Sequence, residues 1–145
     1  MMFGSAEREF HAVELWYRAL GLDSRRLRTI VIDDSATFLE VVCALLERDN
    51  ELDIVARGTN GKEAIELVAK LHPDLVVMDV DMPELDGLMA ALIISCGFPE
   101  ARIVLMSAED SPDLRMECMG CGAEAFVYKP RFREDFPSLL ESTRR

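Results

Sequence analysis

From about residue 28 onward, short apolar runs alternate with longer amphipathic stretches. The short runs lack the apolar–polar alternation of a strand with one wet face, which predicts strands that are covered on both faces. Five such runs occur, at Thr29–Ile32, Leu52–Ala56, Leu75–Met78, Arg102–Met106 and Ala125–Tyr128. The pattern therefore predicts an α/β fold of three layers, in which a five-stranded parallel sheet lies between helices.

The stretches between the runs have helical spacing. A buried face is predicted at the first of them by the i, i+3, i+4, i+7, i+8 spacing of Phe38, Val41, Val42, Leu45 and Leu46. Similar stripes predict a second helix from Ala64, Ile65, Val68 and Leu71, and a last helix, beginning near Asp135, from Phe136, Leu139 and Leu140.

Two further helices are predicted, one of them from a start signal. A short apolar helix is expected from about Leu88 to Ser95. Another begins at Ser111-Pro112-Asp113, which supplies a capping hydroxyl, a proline at the first helical position and a carboxylate in the first turn. It is expected to end near Gly120 or Gly122.

The composition and charge argue against nucleic-acid-binding, membrane-spanning and secreted proteins. The 145 residues carry a net charge of -11, which argues against a nucleic-acid partner because phosphates repel carboxylates. Apolar runs are too short for a membrane span, and no secretory signal is present, so we expect a cytoplasmic protein with no membrane partner. The cysteines are expected to be buried or half-buried free thiols in helical patterns: Cys43, Cys96, Cys118 and Cys121.

Residues 1–27 are predicted to form an N-terminal helical extension that is separate from the domain at residues 28–145. A helical stripe runs along it, with Trp16 beside the stripe: Phe10, Val13, Tyr17 and Leu20. Two interpretations stay open: an extra helix that packs on its own domain, or a docking element through which a homodimer or another partner binds.

Polar side chains with complementary chemistry follow four of the predicted strands. Asp33 and Asp34 come after the first strand, Asp79 after the third, Ser107 at the end of the fourth and Lys129 after the fifth. Right-handed crossovers bring the carboxyl ends of parallel strands to one edge of the sheet, where ligands of such folds bind. The sequence therefore predicts one crevice that contains three carboxylates, a hydroxyl and an ammonium.

Carboxylates this close repel one another, so a proton or a cation must neutralise them. An all-oxygen site suits Mg²⁺ or Mn²⁺ rather than zinc. A metal held on Asp79 could also bind a phosphoryl oxygen, with Lys129 as a point charge and Ser107 as a donor. Each signal is weak alone, since such residues also form turns and caps; their order and shared edge carry the prediction.

The motifs at these strand ends resemble those of the response-regulator receiver family. They are Val31–Ser35, Val77–Gly87, Met106–Ala108 and Gly122–Pro130, and the resemblance covers about Arg28 to Ser142. It implies a flavodoxin-like fold with strand order 2-1-3-4-5. It also implies that Asp79 accepts a phosphoryl group from a sensor histidine kinase or a phosphotransfer protein, and that the protein is not an enzyme beyond its own phosphorylation and dephosphorylation.

The resemblance further implies roles for single residues. Asp34, Asp79 and the backbone carbonyl of Val80 would ligate Mg²⁺, and Asp33 would act through water. Lys129 and Ser107 would contact the bound phosphoryl oxygens, and the Lys129–Pro130 bond is expected to be cis. Carboxylates at Asp81 and Glu109 would modulate hydrolysis of the aspartyl phosphate.

The same resemblance implies a switch in which Ser107 and Phe126 shift together. This shift would remodel the face formed by the fourth helix, fifth strand and fifth helix, where a downstream protein target binds. Many family members carry Thr and Tyr at these positions. The serine keeps the hydroxyl, whereas the phenylalanine cannot make a phenolic hydrogen bond, and Phe126 could equally be a packed core residue.

Two alternative functions compete with the receiver. Asp79-Val80-Asp81 mimics the D-x-D nucleophile motif of haloacid-dehalogenase-type phosphatases, but that family places the motif on its first strand and its acidic pair late. The other is a degenerate receiver used only as an interaction module. The presence of all five key residues argues against it. The sequence stops soon after the last predicted helix, so a single-domain regulator and a piece of a larger protein both remain open.

Overall fold

The structure, a computed structural model, describes residues 26–143. The predicted helical extension and its stripe of apolar residues lie outside the described residues, apart from Arg26 and Leu27. The first strand already includes Leu27.

Five parallel strands form one sheet in the order β2-β1-β3-β4-β5. Their bounds are β1 Leu27–Ile32, β2 Leu52–Gly58, β3 Leu75–Asp79, β4 Arg102–Ser107 and β5 Ala125–Tyr128. The predicted flavodoxin-like strand order is confirmed, and every strand runs toward the same edge of the sheet. We call that edge the carboxyl edge.

Helices connect the strands: α1 Ala36–Glu47, α2 Gly61–Leu71, α3 Gly87–Gly97, α4 Pro112–Gly120 and α5 Phe132–Thr143. Side-chain oxygens cap four helix starts by accepting a backbone N–H: Ser35, Asn60, Asp86 and Ser111. Ser35, Asn60 and Ser111 follow a strand end by two to four residues, and Asp86 follows β3 by seven, so the caps fix where the helices begin beyond the carboxyl edge.

The sheet separates two apolar layers. Alternate strand residues point to opposite faces, and both faces are apolar because helices cover each of them. One layer packs against α2, α3 and α4 and includes Ile30, Ile32, Met78 and Leu105. The other packs against α1 and α5 and includes Val31, Val77, Val104 and Met106.

Three details of the helices differ from the prediction. Val41 is 47% exposed, because α1 turns Leu39, Val42, Cys43 and Leu46 inward instead. The last helix begins at Phe132 rather than near Asp135, since the buried Phe132 ring stacks on Phe136 one turn later, with centroids 4.9 Å apart. Cys96 is exposed, although the other three free cysteines are buried or partly buried as predicted.

The expectation of a cis Lys129–Pro130 bond is wrong, since no peptide bond within residues 26–143 is cis. Lys129–Arg131 instead forms a 3₁₀ turn that leads directly into α5. A trans proline fits there because its fixed φ matches the first turn of a helix and its missing N–H is not needed.

Among residues 26–143, no helix combines the length and apolar character that crossing a bilayer requires.

Candidate functional site at the carboxyl edge of the sheet

The predicted carboxylates come together where β1 and β3 end. Oxygens of Asp33, Asp34 and Asp79 all lie within 4.8 Å of one another. Asp33 directly follows β1, Asp79 ends β3, and the two strands are hydrogen-bonded neighbours. Asp33 is 0% exposed and Asp79 is 4% exposed, whereas Asp34 is exposed. Two buried charges and one exposed charge therefore share a small volume.

Lys129 supplies the positive charge for this cluster. Its Nζ lies 2.8 Å from Asp33 Oδ2 and 3.2 Å from Asp79 Oδ1. Only 13% of the lysine side chain is exposed. Burial alone would lower the pKa of Lys129, but the neighbouring carboxylates of Asp33 and Asp79 raise it. The lysine is therefore charged at neutral pH.

Asp33 has two oxygens in different surroundings. Its Oδ1 accepts a hydrogen bond from the backbone N–H of Ser35 at 2.9 Å. Its buried Oδ2 has no directed hydrogen bond, although the Lys129 ammonium lies close to it. The ion pair compensates the charge, yet one oxygen keeps lone pairs that a metal or a water molecule could use.

The acidity of Asp79 is strongly shifted. Burial, and then the charge of Asp33, raise the pKa of Asp79 to about 7, and Lys129 only partly opposes this shift. A carboxyl group that holds its proton near neutral pH marks a site where negative charge is in excess. A single lysine therefore does not neutralise the cluster, and a bound cation would favour the ionised Asp79.

The donor set fits a small divalent cation. All of the clustered ligand atoms are carboxylate oxygens, one carboxylate is exposed for entry, and Asp33 Oδ2 lacks a directed donor. Hard cations such as Mg²⁺ choose oxygen ligands and keep several waters, which the exposed side of Asp34 allows. The described residues of the cluster contain no thiol or imidazole that would favour zinc.

The loop after β3 packs tightly beneath Asp79. A Cβ atom at Gly87 would overlap the Asp79 carbonyl oxygen, so only glycine fits at the start of α3. The Gly87 N–H donates to the Val80 carbonyl at 2.7 Å, and the Val80 N–H donates to Met106 O at 2.9 Å. The backbone around the predicted phosphoacceptor is therefore held from both sides.

Ser107 ends β4, one position beyond the residue that pairs with Asp79. It is 0% exposed, and its Oγ accepts the Glu109 backbone N–H at 3.0 Å. A hydroxyl accepts and donates at the same time, so its proton is still free to point at an anion. Glu109 and Asp81 are both exposed, as a role in hydrolysis by solvent water would require.

Phe126 is buried in β5, and Arg115 covers its ring. The guanidinium carbon lies 4.9 Å from the ring centroid. Arg115 is itself held by two hydrogen bonds to the carboxylate of Asp110 in the loop after β4. Sequence reasoning missed this contact, because Arg115 lies on the exposed face of a helix whose pattern gives no sign of its partner.

A row of aromatic rings also went unpredicted. The Lys129 ammonium lies 4.5 Å from the centre of the Phe38 ring, at the first turn of α1. Phe38 meets Phe132 edge to face at 6.3 Å, and Phe132 stacks on Phe136 at 4.9 Å. We call Phe38, Phe132 and Phe136 the aromatic row. The sequence signal for its contact with Lys129 is Phe38, three positions after the Ser35 cap. Helical spacing predicts only that Phe38 packs in the core.

Comparison with known proteins shows which proteins share these features. The chain is 37% identical over 106 residues to a protein-glutamate methylesterase/protein-glutamine glutaminase 2 of Carboxydothermus hydrogenoformans, covering 72% of this chain and 30% of that relative. The chain thus spans less than a third of that relative's length. The expectation that the protein is not an enzyme is wrong, because the relatives of this chain include enzymes. That expectation was based on the strand-end residues, which describe the receiver region alone.

Solved structures share the fold. The response regulator domain of Thermotoga maritima CheB has a TM-score of 0.73 and 31% identity, covering 83% of this chain and 95% of that one. CheY in the CheX–CheY–BeF3–Mg²⁺ complex from Borrelia burgdorferi has a TM-score of 0.78 and 23% identity, covering 83% and 91% of the two chains.

The family model of the response regulator receiver domain matches residues 29–141, which is nearly all of the described part of the chain. The match includes every strand end that contributes to the acidic cluster, and it favours neither the phosphatase nor the simple interaction module. The chain belongs to the response-regulator receiver family.

Proposed function

We propose that Asp79 is the phosphoacceptor of this receiver domain, and that its phosphorylation requires a divalent cation held by the acidic cluster. The observation that carries the proposal is the convergence of three carboxylates and Lys129 at the ends of three strands. Receiver domains bind Mg²⁺ at an acidic pocket, and the cluster of Asp33, Asp34 and Asp79 is such a pocket.

The residues divide the chemistry among themselves. An oxygen of ionised Asp79 attacks the phosphorus of a phosphohistidine; the P–N bond breaks, and the imidazole keeps the electron pair and takes up a proton. Lys129 lies where it can neutralise one phosphoryl oxygen, and the buried Ser107 hydroxyl can donate to another. When bound, the cation would neutralise charge on the transferred group.

Asp34 and Asp79 are proposed as direct ligands, and Asp33 as a ligand through water. The choice of Asp34 over Asp33 as a direct ligand is based on exposure, since Asp34 reaches solvent whereas Asp33 is already paired with Lys129. Val80 is proposed to contribute its backbone carbonyl, using its second lone pair because Gly87 already occupies the first. Mg²⁺ is the favoured ion and Mn²⁺ the alternative.

The partners are inferred from the same chemistry. The phosphoryl donor is proposed to be a sensor histidine kinase or a phosphotransfer protein. Ser107 and Phe126 are proposed as the switch, since both are buried on neighbouring strands and the Phe126 ring contacts Arg115 of α4. The face of α4, β5 and α5 would then bind a downstream protein. Asp81 and Glu109, exposed beside the site, are proposed to set the lifetime of the aspartyl phosphate.

The test is phosphorylation by a small phosphodonor such as acetyl phosphate, with mass spectrometry of the intact chain as the readout. The wild type should gain one phosphoryl group in the presence of Mg²⁺ and none with a chelator. Asp79→Asn should gain none, whereas Asp81→Asn, which removes an exposed carboxylate two residues away, should be labelled. Undiminished labelling of Asp79→Asn would overturn the assignment.

A further inference from the structure

We propose that the groove between α1 and α5 is the docking site of the chain's own N-terminal segment, through the stripe Phe10, Val13, Tyr17 and Leu20. This inference is independent of the phosphorylation chemistry. It commits to one occupant, a helix of the same chain.

The groove is long, and its lower part is lined by both apolar and polar side chains. Its lower part, near the end of α1, has a volume of about 610 Å³ and apolar walls from Leu45, Leu46, Phe132, Phe136, Pro137 and Leu140. Its upper part, of about 270 Å³, continues past Phe38 and Val41 to Lys129. Leu45, Phe132 and Arg133 line both parts, so the two form one channel along the helices. Pockets of roughly 300–1,000 Å³ accommodate several side chains.

The chain enters the domain at one end of this groove. The Leu27 N–H donates to Glu51 O at 2.7 Å, and the Arg26 guanidinium donates to Asn50 O at 2.8 Å. Asn50 and Glu51 are also residues of the groove's lower rim. Arg26, the first described residue, therefore lies beside the lower rim of the groove.

The length of the segment matches the groove. Leu20 precedes Arg26 by six residues, which span up to about 20 Å when extended. That reach suffices to turn back over the lower rim. From Phe10 to Leu20 a helix would be about 15 Å long, and the twelve residues of α5 extend for about 18 Å. The helix would thus cover most of the groove.

The sequence of the segment fits a docked helix that ends near the rim. Gly21 directly follows the stripe, and glycine is the common residue just after a helix end. The stripe combines aromatic and aliphatic side chains, as do the walls. Groove-docked helices use such i, i+3, i+7 anchors. The opposite side of the segment carries Leu15, five residues from Leu20 and roughly 140° around a helix.

A native tryptophan and two pairs of substitutions make the inference testable in the full chain. Trp16 is the sole tryptophan of the sequence and stands beside the stripe, so its fluorescence reports the segment alone. Leu20→Asp places a charge on the stripe, and Leu15→Asp places the same charge on the opposite side. In the groove, Leu45→Ala removes part of a partly buried wall; the control Ile93→Ala removes a half-exposed side chain on α3, across the sheet.

Hydrogen exchange of peptides that cover residues 10–20 is the main measurement. We expect protected amides in the wild type, exchange faster by roughly tenfold or more in Leu20→Asp and Leu45→Ala, and wild-type rates in both controls. Trp16 emission should shift to longer wavelength in Leu20→Asp and Leu45→Ala but not in the two controls. Circular dichroism should show all four variants folded.

Three results would overturn the inference. The first is wild-type exchange of residues 10–20 at the rate of an unstructured peptide. The second is an equal response to Leu20→Asp and Leu15→Asp. The third is protection that disappears on dilution, which would make a second copy of the chain the occupant.

Discussion

The Lys129 ammonium lies closer to Asp33, at 2.8 Å, than to Asp79, at 3.2 Å. The lysine is therefore anchored by a carboxylate other than the proposed phosphoacceptor. In the proposed phosphorylation of Asp79, Asp33 would keep the lysine in place, so its ammonium could turn toward the new oxygens without leaving the site.

From this arrangement we propose that Lys129 transmits the phosphorylation signal and is not essential for the transfer itself. In Lys129→Ala, Asp79 should still be phosphorylated by a small phosphodonor, because the cation and Ser107 remain. The amide chemical shifts around Phe126 should no longer respond to phosphorylation, because the ammonium that links the phosphoryl group to the end of β5 is lost. Lys62→Ala, an exposed lysine on α2, is the control and should respond like the wild type. A normal Phe126 response in Lys129→Ala would contradict this role.

The second prediction concerns pH. Burial and Asp33 raise the pKa of Asp79 from 3.8 to about 7. Between these values the folded protein holds a proton that the unfolded chain releases. The free energy of unfolding should therefore fall as the pH rises from about 4 to about 7 in the absence of divalent cations.

Asp79→Asn should remove this dependence. Above pH 7 its free energy of unfolding should exceed that of the wild type by about 1–3 kcal/mol, because the buried charge is gone. Urea denaturation at pH 5 and pH 8 with a chelator measures the effect. Asp81→Asn, an exposed site, should match the wild type at both values. Parallel behaviour of Asp79→Asn and wild type across this range would show that the Asp79 proton does not govern stability.

The third prediction concerns the metal. Asp34→Ala removes the exposed carboxylate of the cluster and should weaken Mg²⁺ binding by on the order of tenfold or more, because the charge of the ligand set determines the affinity. Isothermal titration with Mg²⁺ measures the change. Asp113→Ala, an exposed carboxylate in the first turn of α4, is the control. If Asp34→Ala binds Mg²⁺ as tightly as the wild type, Asp34 is not a ligand.

The fourth prediction uses two glycines of the same helix. Gly87→Ala drives a methyl group into the Asp79 carbonyl, and the backbone must shift; we expect a loss of about 1–3 kcal/mol in the free energy of unfolding and slower phosphorylation. At Gly97 a Cβ meets nothing within 4 Å, so Gly97→Ala should be neutral or stabilising. Urea denaturation compares the two. Equal effects would show that the contact beneath Asp79 does not constrain the site.

Features that topology dictates could be predicted from the sequence, whereas features that depend on distant contacts could not. Parallel strands must end at one edge, so the proximity of Asp33, Asp34, Asp79 and Lys129 could be predicted from strand order alone. Periodicity identified the helices, but it placed Val41 inside, whereas α1 turns Leu39, Val42, Cys43 and Leu46 inward.

Contacts that depend on how the helices pack leave no recognisable pattern in the sequence. The position of Arg115 over Phe126 depends on how α4 lies across β5. The early start of α5 depends on ring stacking between Phe132 and Phe136. The expected cis proline came from resemblance, whereas the local backbone continues as a 3₁₀ turn in which a trans proline fits.

The aromatic row gives the groove and the acidic cluster a shared wall. Phe38 contacts the lysine at its upper end, and Phe132 and Phe136 line the lower part of the groove. Thermodynamic linkage is symmetrical: if an occupant of the groove changes the affinity of the acidic cluster for an ion, the ion changes the affinity for the occupant by the same factor. The groove thus gives the domain the physical means for a second input, separate from the proposed phosphorylation of Asp79.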